Sequence, residues 1–165
     1  MNATTSPNTP SDFGFAFVGS YLNQCAKVEA WTIDMLATHD DKTAKSKVPH
    51  LFGQKLRAVR ELAELHPEIF SKPERVVHLM QQFEQPAKLR SNLAHSIVHK
   101  TNNADGSFYL FHNIGTAERF WFTQQDMTAA LSALKKIVKE ITDQKLKPTP
   151  LPSPPQPKQG AISGP

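Results

Sequence analysis

The segment Lys88–Lys100, KLRSNLAHSIVHK, sets an arginine and two histidines inside a run of helical apolar spacing. Groups of this kind are costly there unless they are exposed, paired or functional. Arg90 supplies a permanent cation, and His95 an imidazole, the side chain most used for general acid–base chemistry. Metal-free cleavage of RNA needs these two groups. One exchanges a proton with the 2′-hydroxyl or the leaving oxygen, and the other stands beside the phosphate as negative charge develops. Asn92 is suited to orient the histidine or hold a phosphate oxygen, and Ser91, next to the arginine, and His99, beyond the histidine, are further substrate-binding candidates. A single histidine cannot easily be both base and acid, so a symmetric dimer joining two copies in one cleft would supply the second.

Arg90 and His95 are five positions apart, which on a continuous helix is about 7.5 Å along the axis and about 140° around it. They do not stack on one face, and only the longer reach of arginine brings both to one cleft at the end of the stripe. A second reading stands beside the chemical one. Arg90 is then a half-buried arginine paired with Glu84 or Glu29, its stem lying along the apolar stripe. His95 is then a helix-end residue, where positive charge is mildly favoured.

Other chemistries find less support. His95 and His99 have the (i, i+4) spacing of a metal pair, but no glutamate follows His95 as in HExxH and no third ligand is evident. The chain has no GxxxxGK loop, no GxGxxG after a strand, no GxSxG elbow and no acidic cluster suited to magnesium. Neither a metal nor an organic cofactor is expected.

The elements that must position the pair can be read from periodicity. Phe17, Tyr21, Cys25, Val28, Thr32 and Met35 recur at helical spacing and predict a long helix over about 13–38. The polar loop HDDKTAKSKVP follows, with Lys42, Lys45 and Lys47 available to phosphate or simply to solvent. Phe52, Leu56, Val59, Leu62 and Ala63 mark a second helix that stops near His66-Pro67, because the residue before proline avoids the helical region. Val76, Met80, Phe83, Ala87, Arg90, Ala94 and Ile97 alternate steps of four and three in a third helical run, with a kink or break expected at Pro86.

After His99 the period changes. TNNADG is a turn signal, and SFYLFHNI and ERFWFT, joined through GTA, predict a β-hairpin. Their aromatic residues suit a hairpin with one face on the core, with base stacking as the alternative use. His112 lies among them as a cross-strand neighbour or a second acid. Thr123 and Asp126 form a capping pair before a last amphipathic helix carrying Met127, Leu134, Val138 and Ile141.

A chain of 165 residues with 39% hydrophobic side chains is large enough for one domain with a real core. The formal charge of +4 is concentrated at one end: residues 144–165 hold Lys145, Lys147 and Lys158 without an acid, which leaves +1 for residues 1–143. Bulk charge therefore gives little argument for nucleic acid. Cys25 alone excludes an internal disulfide and is expected to pack as a small apolar residue. No signal peptide or membrane-length apolar run is evident, so a soluble cytoplasmic protein is expected. Residues 1–11 are turn-rich and polar, and 145–165 are proline-rich; both are expected to be disordered around a domain at 12–144.

The string RSNLAHS, after two helical segments and before a hairpin and final helix, resembles the RxxxxH signature of the HEPN superfamily. The resemblance extends over residues 21–144 through the order of elements and segments such as FGQKLRAVRELAEL. It implies a mainly α, HEPN-like helical bundle with a β-hairpin before its last helix. Many members are metal-independent endoribonucleases of toxin–antitoxin and phage-defence systems, in which arginine and histidine from two protomers meet at the dimer interface. The resemblance thus implies Arg90 and His95 as the catalytic pair, RNA as substrate, a homodimer, and an antitoxin as partner protein. The chain departs from the pattern at Ser91, where the family often has Asn, Asp or His, and at Ser96, where many members have glycine. Other members bind RNA or partners without cutting, and a non-catalytic interaction module is the alternative.

Overall fold

A computed structural model describes residues 10–39, 48–103 and 106–147. The elements follow in the order α1 (Pro10–His39), α2 (Phe52–Leu65), α3 (Pro73–Ala94), β1 (Ser96–Asn103), β2 (Gly106–Asn113), β3 (Arg119–Thr123) and α4 (Gln124–Thr142). The architecture is mainly α, with a small antiparallel sheet of order β1-β2-β3 before the last helix. Among the described residues, no helix is long and apolar enough to cross a membrane.

The helices form where the apolar period requires. Tyr21, Cys25 and Val28 of α1, Leu56 and Val59 of α2, Val76, Met80 and Phe83 of α3, and Met127, Leu134 and Ile141 of α4 are all buried in one core. Helix α2 ends with the His66 amide donating to the Leu62 carbonyl, just before Pro67. The capping pair of α4 is formed: the Asp126 amide donates to Thr123 Oγ1 at 3.0 Å, and the Thr123 amide donates to Asp126 Oδ2 at 2.9 Å. Pro86 does not break α3, which runs through it. The carbonyl four residues earlier belongs to Gln82, on the exposed side, so water can take the place of the missing donor.

The third helix ends earlier than its apolar spacing suggests, and the expected β-hairpin is a three-stranded sheet. Ser96–Asn103 pairs antiparallel with β2, from Ser96 opposite Asn113 to Asn103 opposite Gly106. Ile97 and Val98 are β-branched, and the pairing gives their backbone a full ladder that a helix end would leave open. Leu93 therefore fills the core at the end of α3, while Ala94 and Ile97, expected in the buried stripe, are exposed.

Alternation sorts the sheet into two faces. Tyr109 and Phe111 of β2 and Phe120 and Phe122 of β3 turn inward to the core, where Phe17 of α1 meets Phe111 and Phe122 and Phe13 meets Tyr109. Phe111 and Phe120 stack with centroids 5.7 Å apart, and Phe122 meets Phe111 edge-on. Helix α1 crosses this face at Gly14, where a Cβ would lie 2.8 Å from Val98 Cγ1 and 3.0 Å from Tyr109 Cδ1. Only glycine admits that approach without a shift of its neighbours.

Polar ties join the helices at their rims. Lys55 of α2 donates to Glu29 of α1 at 2.6 Å, Arg60 of α2 pairs with Glu84 of α3 at 3.1 Å, and Arg75 of α3 pairs with Glu140 of α4. After α4 the chain returns to the segment before α3. Leu146 forms an antiparallel bridge with Phe70, and the Lys147 amide donates to the Ile69 carbonyl at 2.6 Å. Ordered pairing therefore extends past residue 144, and α1 begins at Pro10, two residues before the expected domain start. The disorder expected for residues 1–9 and 148–165, and the loop lysines Lys42, Lys45 and Lys47, lie outside the described residues.

Candidate functional site

Arg90 sits on the side of α3 that faces α1 and α2. Its guanidinium is 5.7 Å from the centroid of the Phe52 ring, and Nη2 is 4.0 Å from Glu29 Oε2. The other oxygen of Glu29 accepts from Lys55. One carboxylate of α1 thus lies between a cation of α2 and a cation of α3. The Arg90 side chain keeps 37% of its surface exposed, so the aromatic ring and the carboxylate engage the guanidinium without taking the side chain out of solvent.

That exposed part borders a cleft of about 570 Å³ between α2 and α3. Phe52, Leu56 and Met80 contribute apolar wall, whereas Arg57, Arg60, Lys88 and Arg90 supply four cations against the single carboxylate of Glu84. Arg60 is engaged by Glu84. Arg57 and Lys88 are exposed and make no ion pair or hydrogen bond among the described residues. Clustered cations beside low-dielectric wall favour an anion, and the apolar wall suits the non-charged part of the same ligand. Ser91 lies in the wall next to Arg90.

The other sequence candidates diverge from this cleft. Asn92 is committed to the turn between β2 and β3: its Nδ2 donates to Glu118 Oε2 at 2.9 Å, and its Oδ1 accepts from Asn113 Nδ2 at 3.3 Å. Buried Asn113 in turn accepts the amides of Gly115 and Thr116, and Ala117 completes the turn with φ 58°. Asn92 therefore fastens the turn to the end of α3.

His95 is the C-cap of α3, with its amide donating to the Asn92 carbonyl and its own carbonyl accepting from Ile114. Its imidazole is exposed, makes no hydrogen bond or ion pair among the described residues, and is not part of the cleft wall. His99 is exposed on β1 opposite Leu110, on a strand and not one helical turn beyond His95. Among the described residues, no group of three or more His, Cys, Asp or Glu is placed to hold a metal ion.

Burial keeps two nearby titratable groups neutral. It pushes the Cys25 thiol up to about 12, partly offset by Arg90. It also raises the Tyr21 hydroxyl, which donates to the Pro86 carbonyl at 3.4 Å. Neither is poised as a nucleophile at neutral pH.

Arg57, Arg60 and Lys88 escaped the sequence reading because they lie off the apolar stripes of two different helices. The three-residue step from Arg57 to Arg60, on the face of α2 next to the core stripe, was the available signal. No family model matches the chain, and no significant match was found among curated proteins or solved structures.

Proposed function

We propose that the chain is a HEPN-like, metal-independent endoribonuclease of toxin or defence type, whose site is completed in a homodimer. The observation that supports it best is the cationic α2–α3 cleft with Arg90 held at its margin by Glu29 and Phe52, near the end of the helix that is capped by an exposed His95 whose side chain has no partner among the described residues. The cleft wall of one chain does not include His95; in this reading a second copy of the chain brings arginine and histidine to one phosphate.

In that arrangement one His95 takes the proton of the 2′-hydroxyl, whose oxygen attacks the adjacent phosphorus. His95 of the partner subunit gives a proton to the departing 5′-oxygen, leaving a 2′,3′-cyclic phosphate. Arg90 faces the phosphoryl oxygens as charge accumulates, and Arg57 and Lys88 hold the flanking backbone. Ser91 lies within the cleft wall for a further phosphate contact. The setting that accompanies this reading is cytoplasmic, with an antitoxin as the neutralising partner.

A non-catalytic module that binds RNA or a partner protein is the second reading. It draws on the engagement of Arg90 by Glu29 and of Asn92 by the turn. Purified wild type and the Arg90→Ala and His95→Ala variants, incubated with total RNA in EDTA, separate the two. The enzyme reading expects wild-type cleavage with cyclic or 3′-phosphate ends, and a loss on the order of 100-fold or more in each variant at unchanged sedimentation. Intact RNA with all three proteins folded and dimeric moves the conclusion to the binding module.

A further inference from the structure

The outward face of the sheet has no role in the cleft. Two adjacent cross-strand rows define it: His99, Leu110 and Trp121, and beside them Ile97, His112 and Arg119. Trp121 is 55% exposed and Ile97 is 46% exposed, so no described element covers this face. Phe108 continues it on β2, half-buried. Burial alone would not select these types, since the inward face of the same strands already provides the aromatic core.

Three features distinguish this face from a simple apolar patch. Planar groups dominate: an indole, two imidazoles, a phenyl ring and a guanidinium. None of these residues is acidic, so a polyanion meets no repulsion and finds a fixed cation in Arg119. The face also begins where the catalytic pair ends, because Ser96 of β1 directly follows His95 and Ile97 is the first outward residue.

Building on the RNA-directed reading above, we propose that this face is a stacking platform for unpaired bases of single-stranded RNA, with Trp121 as the principal surface and Arg119 on the backbone. A π-face is common to every base, so the platform selects single strands over duplex with little regard to sequence. It feeds the strand toward His95 along β1. A duplex, whose bases are stacked on each other, gains nothing from Trp121.

The test uses the full chain in the His95→Ala background, so that bound RNA stays intact. Binding of a fluorescein-labelled 12-nucleotide single strand and of its duplex is measured in EDTA for this parent and for added Trp121→Ala, Trp121→Phe and Arg119→Ala. Trp121→Ala is expected to weaken single-strand binding by about tenfold and leave duplex binding unchanged, with Phe restoring most of the loss. Arg119→Ala is expected to lower the salt dependence. Trp121 is one of two tryptophans and the other, Trp31, is buried, so the single strand should also quench the exposed emission.

Equal single-strand affinity for parent and Trp121→Ala overturns the platform, as does the absence of RNA binding by the parent. A Trp121→Ala change in sedimentation without a change in RNA affinity also overturns it, and assigns the face to a second copy of the chain. Cleavage by wild type is scored separately. Cutting with an inert Trp121 refutes the platform alone, whereas tenfold weaker binding in a protein that never cuts refutes the nuclease alone.

Discussion

The inner and outer faces of the sheet are built by alternate residues of the same three strands, yet they have opposite fates. Inward, Phe111 is fully buried and its ring meets Phe17, Phe120 and Phe122. Outward, Trp121 sits next in sequence to two of the residues that pack the core and is more than half exposed. Side-chain type does not separate the two faces; register does. A shift of one residue would exchange them, and the pairing of β2 with β1 over eight positions and with β3 over five opposes it.

The sharpest way to break the comparison is truncation on each side. Phe111→Ala should cost about 3–5 kcal/mol, because it removes a fully enclosed ring and leaves a cavity. Trp121→Ala should change stability by less than about 1 kcal/mol. Urea denaturation of the two variants measures both. Similar losses would mean that the outer face is covered in solution.

A smaller effect is expected from the crossing of α1. Gly14→Ala places a methyl against Val98 and Tyr109, and should cost about 1–3 kcal/mol by the same measurement. An unchanged midpoint would show that the inner face yields where the aromatic cluster is taken to be fixed. The smallest change is a gain. Ala117 holds a left-handed backbone in the turn between β2 and β3, so Ala117→Gly should stabilise by up to about 1 kcal/mol. Thermal unfolding would register this as a rise of a few degrees.

Much of the helical part was legible because its information is local. The positions of α1, α2 and α4 follow from one repeating apolar spacing, and the Thr123–Asp126 cap and the stop before Pro67 are short-range signals. The end of α3 was not legible, because LAHSIV contains no Gly or Pro to stop a helix and Ile97 continues the four-three spacing. What ends the helix is pairing with β2, ten or more residues away in sequence, and no local window contains it. The candidate site divides in the same way. Arg90 was visible as a charged residue in an apolar stripe, whereas the cleft that surrounds it is made by cations of α2 and α3 that become neighbours only on packing. Which rings of the aromatic strands pack the core and which face outward could not be decided before the register assigned each ring to a face.

Helix α3 ends at Ala94 and β1 begins at Ser96, so a single residue joins them. The two dihedral angles of His95 are all the slack available between a helix about 33 Å long and the sheet it leads into. Asn92 fastens the far side of the same joint by holding the β2–β3 turn. The arrangement is a stiff lever: a load that tilts the sheet must turn the end of α3, and Arg90, one turn back on that helix, turns with it.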